Sequence, residues 1–207
     1  TMYKEIYDNL MKTYDTHKFK ADASCWMPED GFEKLRFLER VIYPNQLKVL
    51  NTGVDSKVLK EIGFPPFVEN IKCGFVSNHL KSIKLPASVK EIRQFGGRNI
   101  EVIDLSKTQI TKLGEQFGSG YDIFKDCKSV RYFYAPKNLK SINSSELDFD
   151  NKKTIGYFYT PEMPFGMSTI HVGYEHVFKE IHIPRHCKSG WNMNTQATVI
   201  DDIDIGW

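Results

Sequence analysis

Apolar and polar residues follow one another in the same order in seven short stretches of the chain. The shared pattern is apolar-x-x-apolar-x-apolar-Pro, with Ser106 in place of the proline in one copy. The sixth residue is small in two copies, where it is Ala135 or Thr160. The seven copies are residues 38–44 (LERVIYP), 59–65 (LKEIGFP), 80–86 (LKSIKLP), 100–106 (IEVIDLS), 130–136 (VRYFYAP), 155–161 (IGYFYTP) and 178–184 (FKEIHIP).

Each copy encodes a short β-strand. In the third copy the apolar residues Ile83 and Leu85 alternate with Ser82 and Lys84. A period of two places the apolar pair inside and the polar pair in water. The proline then ends the strand, because it has no N–H for the hydrogen-bond ladder. We therefore predict adjacent parallel strands at residues 81–85, 101–105 and 131–135.

A second apolar pair, with its members three residues apart, follows five of the copies. These pairs can turn inward from a second short segment and close one coil, and stacked coils then share a continuous core. The pairs are Leu47 and Leu50, Val68 and Ile71, Val89 and Ile92, Ile110 and Leu113, and Leu139 and Ile142. The repeat favours an α/β repeat protein, a solenoid of about six to seven short coils with a parallel β ladder, over an α+β domain with coincidental apolar-Pro strands. Residues expected in its core include Ile83, Leu85, Val89, Ile92, Ile103, Leu105, Phe133 and Ile142.

The repeat resembles the bacterial surface-antigen (BspA-like) leucine-rich repeats, whose unit runs approximately as L-x-x-I-x-[IL]-P-x-x-V-x-x-I-G-x-x-A-F-x-x-C-x-x-L. Residues 80–92 (LKSIKLPASVKEI) match the first half, and residues 124–130 (FKDCKSV) match the second half. Residues 181–191 (IHIPRHCKSGW) are similar to the usual ending of the last repeat. The resemblance covers about residues 35–192. It implies a leucine-rich-repeat solenoid with Cys127 directed into the stack, and a role in adhesion, host-factor binding or general protein binding.

The resemblance is interrupted in two long coils, where the segments 114–122 and 143–153 read as insertions, and it is weak after Pro161. We divide the chain into an N-terminal cap (a helix plus an irregular segment) at residues 1–34, the solenoid at 35–192, and a C-terminal tail or closing strand at 193–207.

Both ends of the chain leave alternatives open. Apolar residues at helical spacing within residues 2–14 predict a helix that caps the first coil, as repeat proteins require, or that docks on another chain. From Val199 onward, apolar and acidic residues alternate. This pattern predicts an edge strand or a strand that closes the last coil, and the alternative is a strand that binds a partner.

Composition excludes some classes of function. Lys and Arg number 28 and Asp and Glu number 26, so the net charge gives no reason to expect a nucleic-acid partner. No stretch has the length of apolar residues that membrane insertion requires, and the first residues lack the apolar core of a signal peptide. Thr1 leaves open that an initiator Met or a leader has been removed, so the localisation stays undetermined.

The chain offers no recognisable catalytic or cofactor motif. It has no GxSxG, P-loop, GxGxxG or HExxH sequence. The pairs His171 and His176, and His182 and His186, have spacings close to that of a helical zinc site, but a helix cannot run through the strand-proline boundary in the second pair. The four cysteines are spread along the chain without a CxxC pair, so we expect free thiols, no disulfide and no bound metal.

The outward positions of the copies carry the candidate site. Two neighbouring coils present Tyr132, Tyr134, Tyr157 and Tyr159 on the outside of the ladder. Tyrosine is favoured in recognition surfaces because it combines a large rigid area with a polar tip. The alternative is that these rings only stabilise the ladder, or that the 143–153 segment covers them.

We therefore expect a non-catalytic scaffold, without cofactor, that binds a protein partner or a glycan through these tyrosines. The alternative is a structural component of a multi-chain assembly such as a bacteriophage virion. An enzyme domain built on repeats is the least supported class, because no nucleophile has a recognisable setting.

Overall fold

The computed structural model describes residues 39–51, 53–114, 123–124, 126–142, 147, 149–150, 152–164, 177–191 and 197–205. Over these residues the chain is a parallel β-solenoid of about six turns with almost no helix. The predicted helical cap at residues 1–34 lies outside the described residues. In chain order the strands are β1 (Arg40–Ile42), β2 (Val49–Leu50), β3 (Val54–Asp55), β4 (Glu61–Gly63), β5 (Asn70–Val76), β6 (Ser82–Lys84), β7 (Glu91–Gly96), β8 (Val102–Asp104), β9 (Lys112–Leu113), β10 (Tyr132–Tyr134), β11 (Ser141–Ile142), β12 (Ile155–Tyr157), β13 (Glu180–Pro184) and β14 (Thr198–Ile203).

The repeated copies form one side of the solenoid. Five of their strands and the strand of the C-terminal tail make a single parallel sheet, here called the front sheet, in the order β14-β13-β12-β10-β8-β6. The first two copies pair separately as β1 and β4. The predicted neighbours β6, β8 and β10 are adjacent and parallel, which confirms the strand prediction for these three copies.

The second apolar pairs form another side of the coil. They lie in or beside β2, β5, β7, β9 and β11, which also pair in parallel. All ten of their residues are buried, and so are the eight residues predicted for the core. Both sides of the predicted coil are therefore confirmed.

A third apolar column, which the repeated pattern does not predict, closes the coil. Val54, Phe75 and Phe95 are buried and lie side by side in β3, β5 and β7. The rings of Phe75 and Phe95 stack at 5.3 Å between centroids. The column continues with a parallel bridge between Phe124 and Leu147, both of which are buried.

The segment 143–153 is therefore only partly an insertion. Leu147 and Phe149 are buried in the core, and the ring of Phe149 contacts those of Phe124, Phe133 and Phe178. Its described apolar residues complete a coil, as Val54 and Phe75 do in earlier coils.

The sixth copy is shifted by two residues from its predicted register. The ladder aligns Gly156 with Phe133 and Ile181, so the inward residues of this strand are Gly156 and Phe158. Phe158 and Thr160 were expected instead, but Thr160 is only half-buried. The rings of Phe158 and Phe178 fill the space beside Gly156, where a Cβ would lie 2.9 to 3.0 Å from them.

Small residues occupy an interior position that lies, in the sequence, shortly before a copy begins. Ser77 is buried, and its hydroxyl donates to the Leu59 carbonyl at 2.6 Å. Cys127 is also buried, as the family resemblance implies, with its Sγ 3.8 Å from the Phe95 carbonyl. At Gly97 the backbone passes so close that an added Cβ would overlap the Ser77 carbonyl oxygen. Stacking at this corner therefore requires glycine.

The C-terminal tail forms the last strand of the front sheet. β14 pairs in parallel with β13, which agrees with the expectation of an edge or closing strand. Before it, a short 3-10 helix at Lys188–Trp191 buries Trp191 in the core. The indole N–H of Trp191 donates to the Thr160 carbonyl at 3.1 Å.

Truncation of a core residue tests the inward assignment. Ile103 is fully buried on β8, so Ile103→Ala should lower the free energy of unfolding by about 2–5 kcal/mol in urea denaturation. Val102→Ala, on the half-exposed outer side of the same strand, is the matched control and should cost about 1 kcal/mol or less. A loss below about 0.5 kcal/mol for Ile103→Ala would contradict the assignment.

Gly97→Ala tests the close approach of two coils. The added methyl group must displace the Ser77 backbone, so we expect a loss of about 1–3 kcal/mol in unfolding free energy. At Gly74 the nearest atom is the end of the Gln94 side chain at 3.1 Å, which can move aside. Gly74→Ala should therefore cost less than Gly97→Ala, and equal losses would argue against the proposed clash.

Candidate partner-binding face

Two rows of side chains cross the outside of the front sheet, because its strands run in parallel and in register. One row, called the aromatic row, contains Tyr134, Tyr157 and His182. The second, called the apolar row, contains Val102, Tyr132 and Ile155. Together we call these six residues the outer face.

The rings of the aromatic row stack along the solenoid axis. Tyr134 and Tyr157 lie 4.7 Å apart between ring centroids with an angle of 13° between their planes. Tyr157 and His182 also lie 4.7 Å apart, with an angle of 17°. This separation equals the spacing of neighbouring strands, so the ladder itself sets the stack. Both faces of the Tyr157 ring are thus covered by neighbouring rings.

The four tyrosines predicted for the site lie in one region. They do not pair across neighbouring strands as Tyr132 with Tyr157 and Tyr134 with Tyr159, which the register of the copies predicts. Tyr132 lies beside Ile155 rather than Tyr157, and its ring is 6.5 Å from that of Tyr134. Tyr159 follows the end of β12, where the Lys137 ammonium lies 5.9 Å from its ring centroid. The two-residue shift of the sixth copy causes this difference.

The tyrosines differ in exposure. Tyr132 is the most open, with 39% of its surface exposed, whereas Tyr134, Tyr157 and Tyr159 are half-buried. Val102 and Ile155, on either side of Tyr132, are also half-buried. The apolar row therefore offers a continuous strip of partly exposed apolar atoms.

Burial raises the pKa of the phenols of Tyr134, Tyr157 and Tyr159 above their ordinary value. The carboxylate of Asp104 raises the pKa of Tyr134 and Tyr159 further. Asp202 contributes in the same direction to the pKa of Tyr157.

A carboxylate lies at each end of the aromatic row. Asp104 is in register with Tyr134 and accepts hydrogen bonds from the backbone N–H and hydroxyl of Ser106 at 3.1 and 2.6 Å. At the other end, Nδ1 of His182 lies 2.8 and 3.0 Å from the two carboxylate oxygens of Asp202. The contact of His182 with Asp202 does not follow from the sequence pattern, because it depends on the pairing of β14.

The described pair of candidate metal ligands, His182 and His186, is not arranged on a helix. His182 lies in β13, and His186 follows it in a turn with a positive φ of 63°. His171 and His176 lie outside the described residues. Among the residues that the structure describes, no group of three or more His, Cys, Asp or Glu side chains is arranged to hold a metal ion. Cys73 and Cys187 are free thiols, and burial raises the pKa of Cys73 to about 12.

The fold and this face define a parallel β-solenoid with a partly aromatic outer surface. No helix within the described ranges is long and apolar enough to cross a membrane. Comparisons with protein-family models, with curated proteins and with solved structures find no match to this chain.

Alkaline unfolding tests the environment of the aromatic row. The folded phenols of Tyr134 and Tyr157 keep their protons above the ordinary tyrosine pKa of about 10. The unfolded chain therefore ionises first, and the free energy of unfolding falls as the pH rises above about 10. A Tyr134→Phe, Tyr157→Phe double variant should show a shallower fall in urea unfolding across this range. An unchanged slope would contradict the raised pKa values.

Proposed function

We propose that this protein is a non-catalytic binding module that holds a protein partner or a glycan on its outer face. The observation that carries the proposal is the strip of partly exposed Val102, Tyr132 and Ile155 beside the aromatic row. A contiguous apolar patch on a protein surface commonly marks an interaction site. Solenoids present such surfaces on rigid, extended ladders, which suits them to scaffolding.

Stabilisation of the ladder explains only part of this face. Stacking accounts for Tyr134, Tyr157 and His182, because each ring covers the next. It accounts for less of Tyr132, whose ring lies 6.5 Å from that of Tyr134 and whose register neighbours are the aliphatic Val102 and Ile155. The exposure of this ring, beside partly exposed apolar neighbours, supports a partner that covers it.

We further propose that the solenoid is a leucine-rich-repeat solenoid of the BspA-like type. The apolar positions of that repeat correspond to the inward residues of the copies, to the second apolar pairs and to Phe124. The buried Cys127 occupies its cysteine position. Adhesion, host-factor binding or general protein binding is the role that this resemblance implies.

Capture experiments test the function. We expect the immobilised protein to retain a partner that a Tyr132→Ala, Tyr157→Ala double variant loses. The loss should follow from the removed contact area rather than from unfolding, so circular dichroism melting of both proteins accompanies the assay. Tyr157→Ala removes two ring contacts, each worth about 0.5–1.5 kcal/mol. A loss of stability of that size is expected from the lost stacking alone and does not indicate unfolding.

An Ile42→Ala, Phe67→Ala double variant is the matched control. These side chains are 63% and 68% exposed and lie outside the front sheet, on β1 and in the turn after β4. The control should retain the partner. If both double variants retain it, or both lose it, the interface does not lie on the outer face.

A further inference from the structure

We propose that the outer face takes a protein segment whose apolar side chains are flanked by Lys or Arg residues, rather than a glycan. This inference rests on the proposed function and names the class of partner for the same face. The inference rests on two observations. The first is which surfaces of the stacked rings are open to a partner, and the second is the charge at the two ends of the aromatic row.

The central ring of the aromatic row cannot offer a sugar the surface that it needs. A sugar packs its C–H face against the open face of an aromatic ring, but both faces of Tyr157 are covered by Tyr134 and His182. The row instead presents ring edges. Ring edges pack well against the faces of aliphatic or aromatic side chains in an edge-to-face arrangement. The apolar row beside them extends the same kind of contact, so the central part of the face fits apolar protein side chains.

The ends of the aromatic row favour cations. Asp104 is bonded to Ser106 and Asp202 to His182, and within the described ranges neither carboxylate forms an ion pair with a Lys or Arg side chain. By contrast, the nearby carboxylate of Glu180 is already paired with Lys179 at 2.8 Å. Asp104 and Asp202 are therefore the carboxylates on this face that remain available to a basic partner.

The surrounding charges leave this preference in place. Lys84 is in register with Asp104 on β6, and Lys137 lies above the ring of Tyr159. Even so, the charged side chains that shift the phenol pKa values of Tyr134, Tyr157 and Tyr159 are all carboxylates, and they raise those values. These carboxylates attract a cationic segment and disfavour an acidic one.

The spacing of the carboxylates defines a suitable probe. Asp104 and Asp202 lie on β8 and β14, which are four strand positions apart in the front sheet. Four strand spacings amount to about 19 Å. A helix needs about 13 residues to cover that distance. A peptide of about this length, with two Lys residues at each end and a Leu- and Ala-rich centre, therefore matches the face.

The experiment measures binding of this Lys-flanked peptide by calorimetry, beside a matched peptide with Glu in place of Lys and a panel of neutral and acidic oligosaccharides. We expect the Lys-flanked peptide to bind at least about tenfold more tightly than the Glu-flanked peptide, which corresponds to about 1.4 kcal/mol. An Asp104→Asn, Asp202→Asn double variant should lose most of this preference. An Asp55→Asn, Asp126→Asn double variant changes the net charge equally at exposed positions outside the front sheet, and it should keep the preference.

The outcomes separate this inference from the proposed function. Binding of an oligosaccharide or of the Glu-flanked peptide that disappears in the Tyr132→Ala, Tyr157→Ala variant overturns the inference and leaves the outer face as the binding site. An equal effect of the two Asn double variants, or no binding of the Lys-flanked peptide, also overturns the inference. Lys-flanked peptide binding that survives the tyrosine substitutions counts against both the inference and the proposed function.

Discussion

The in-register stacking of each coil on the next is the constraint on which the rest of this structure depends. A line of backbone hydrogen bonds crosses the corner before the front sheet, from Glu101 N–H to Lys81, from Arg131 to Glu101 and from Ile155 to Arg131, each at 2.8 Å. The bonds continue from Lys179 to Thr154 at 2.8 Å and from Thr198 to Lys179 at 3.0 Å. Exposed ion pairs such as Lys81 with Glu101 also join coils, but such pairs contribute little. Coils therefore hold together through backbone pairing and the shared core.

Because the coils stack in register, equivalent residues of successive copies form columns in which each residue has the same environment. A shift of one residue would turn the inward side chains of a strand outward. A shift of two keeps the sides but changes the neighbours, and this occurs in the sixth copy. There Gly156 takes the fourth position, and Phe158 and Phe178 fill the space that a larger residue would occupy. The same shift brings Tyr157 against Tyr134 and so creates the aromatic row.

The sequence predicts the parts of this fold that depend on local alternation. The strands β6, β8 and β10 and the second apolar pairs follow from residue order and proline placement alone. The third apolar column could also be predicted from the spacing of its residues. Val54, Phe75 and Phe95 each stand five residues before the next copy, and Phe124 stands six before it.

Other features depend on contacts between distant segments, and a local pattern cannot show them. The register of the sixth copy is ambiguous because Phe158 fits either the fourth or the sixth position. Only packing against Phe133 and Phe178 decides between these positions. The contact of His182 with Asp202 depends in addition on the register of β14, which shifts between Ile183 and Pro184. The position of each tyrosine on the face was thus less predictable than the fold itself.

Different residues of the outer face contribute to stability and to the proposed binding. The register of the strands decides which residues contribute to each. The stacked rings of Tyr134, Tyr157 and His182 satisfy one another, so their presence needs no partner. Tyr132 stabilises the ladder less, because aliphatic side chains are its register neighbours and much of its ring is exposed. A change there should affect binding more than folding, whereas a change at Tyr157 should affect both. Under the proposed function, the energetic centre of the interface therefore lies on the apolar row, with the aromatic row as its rigid support.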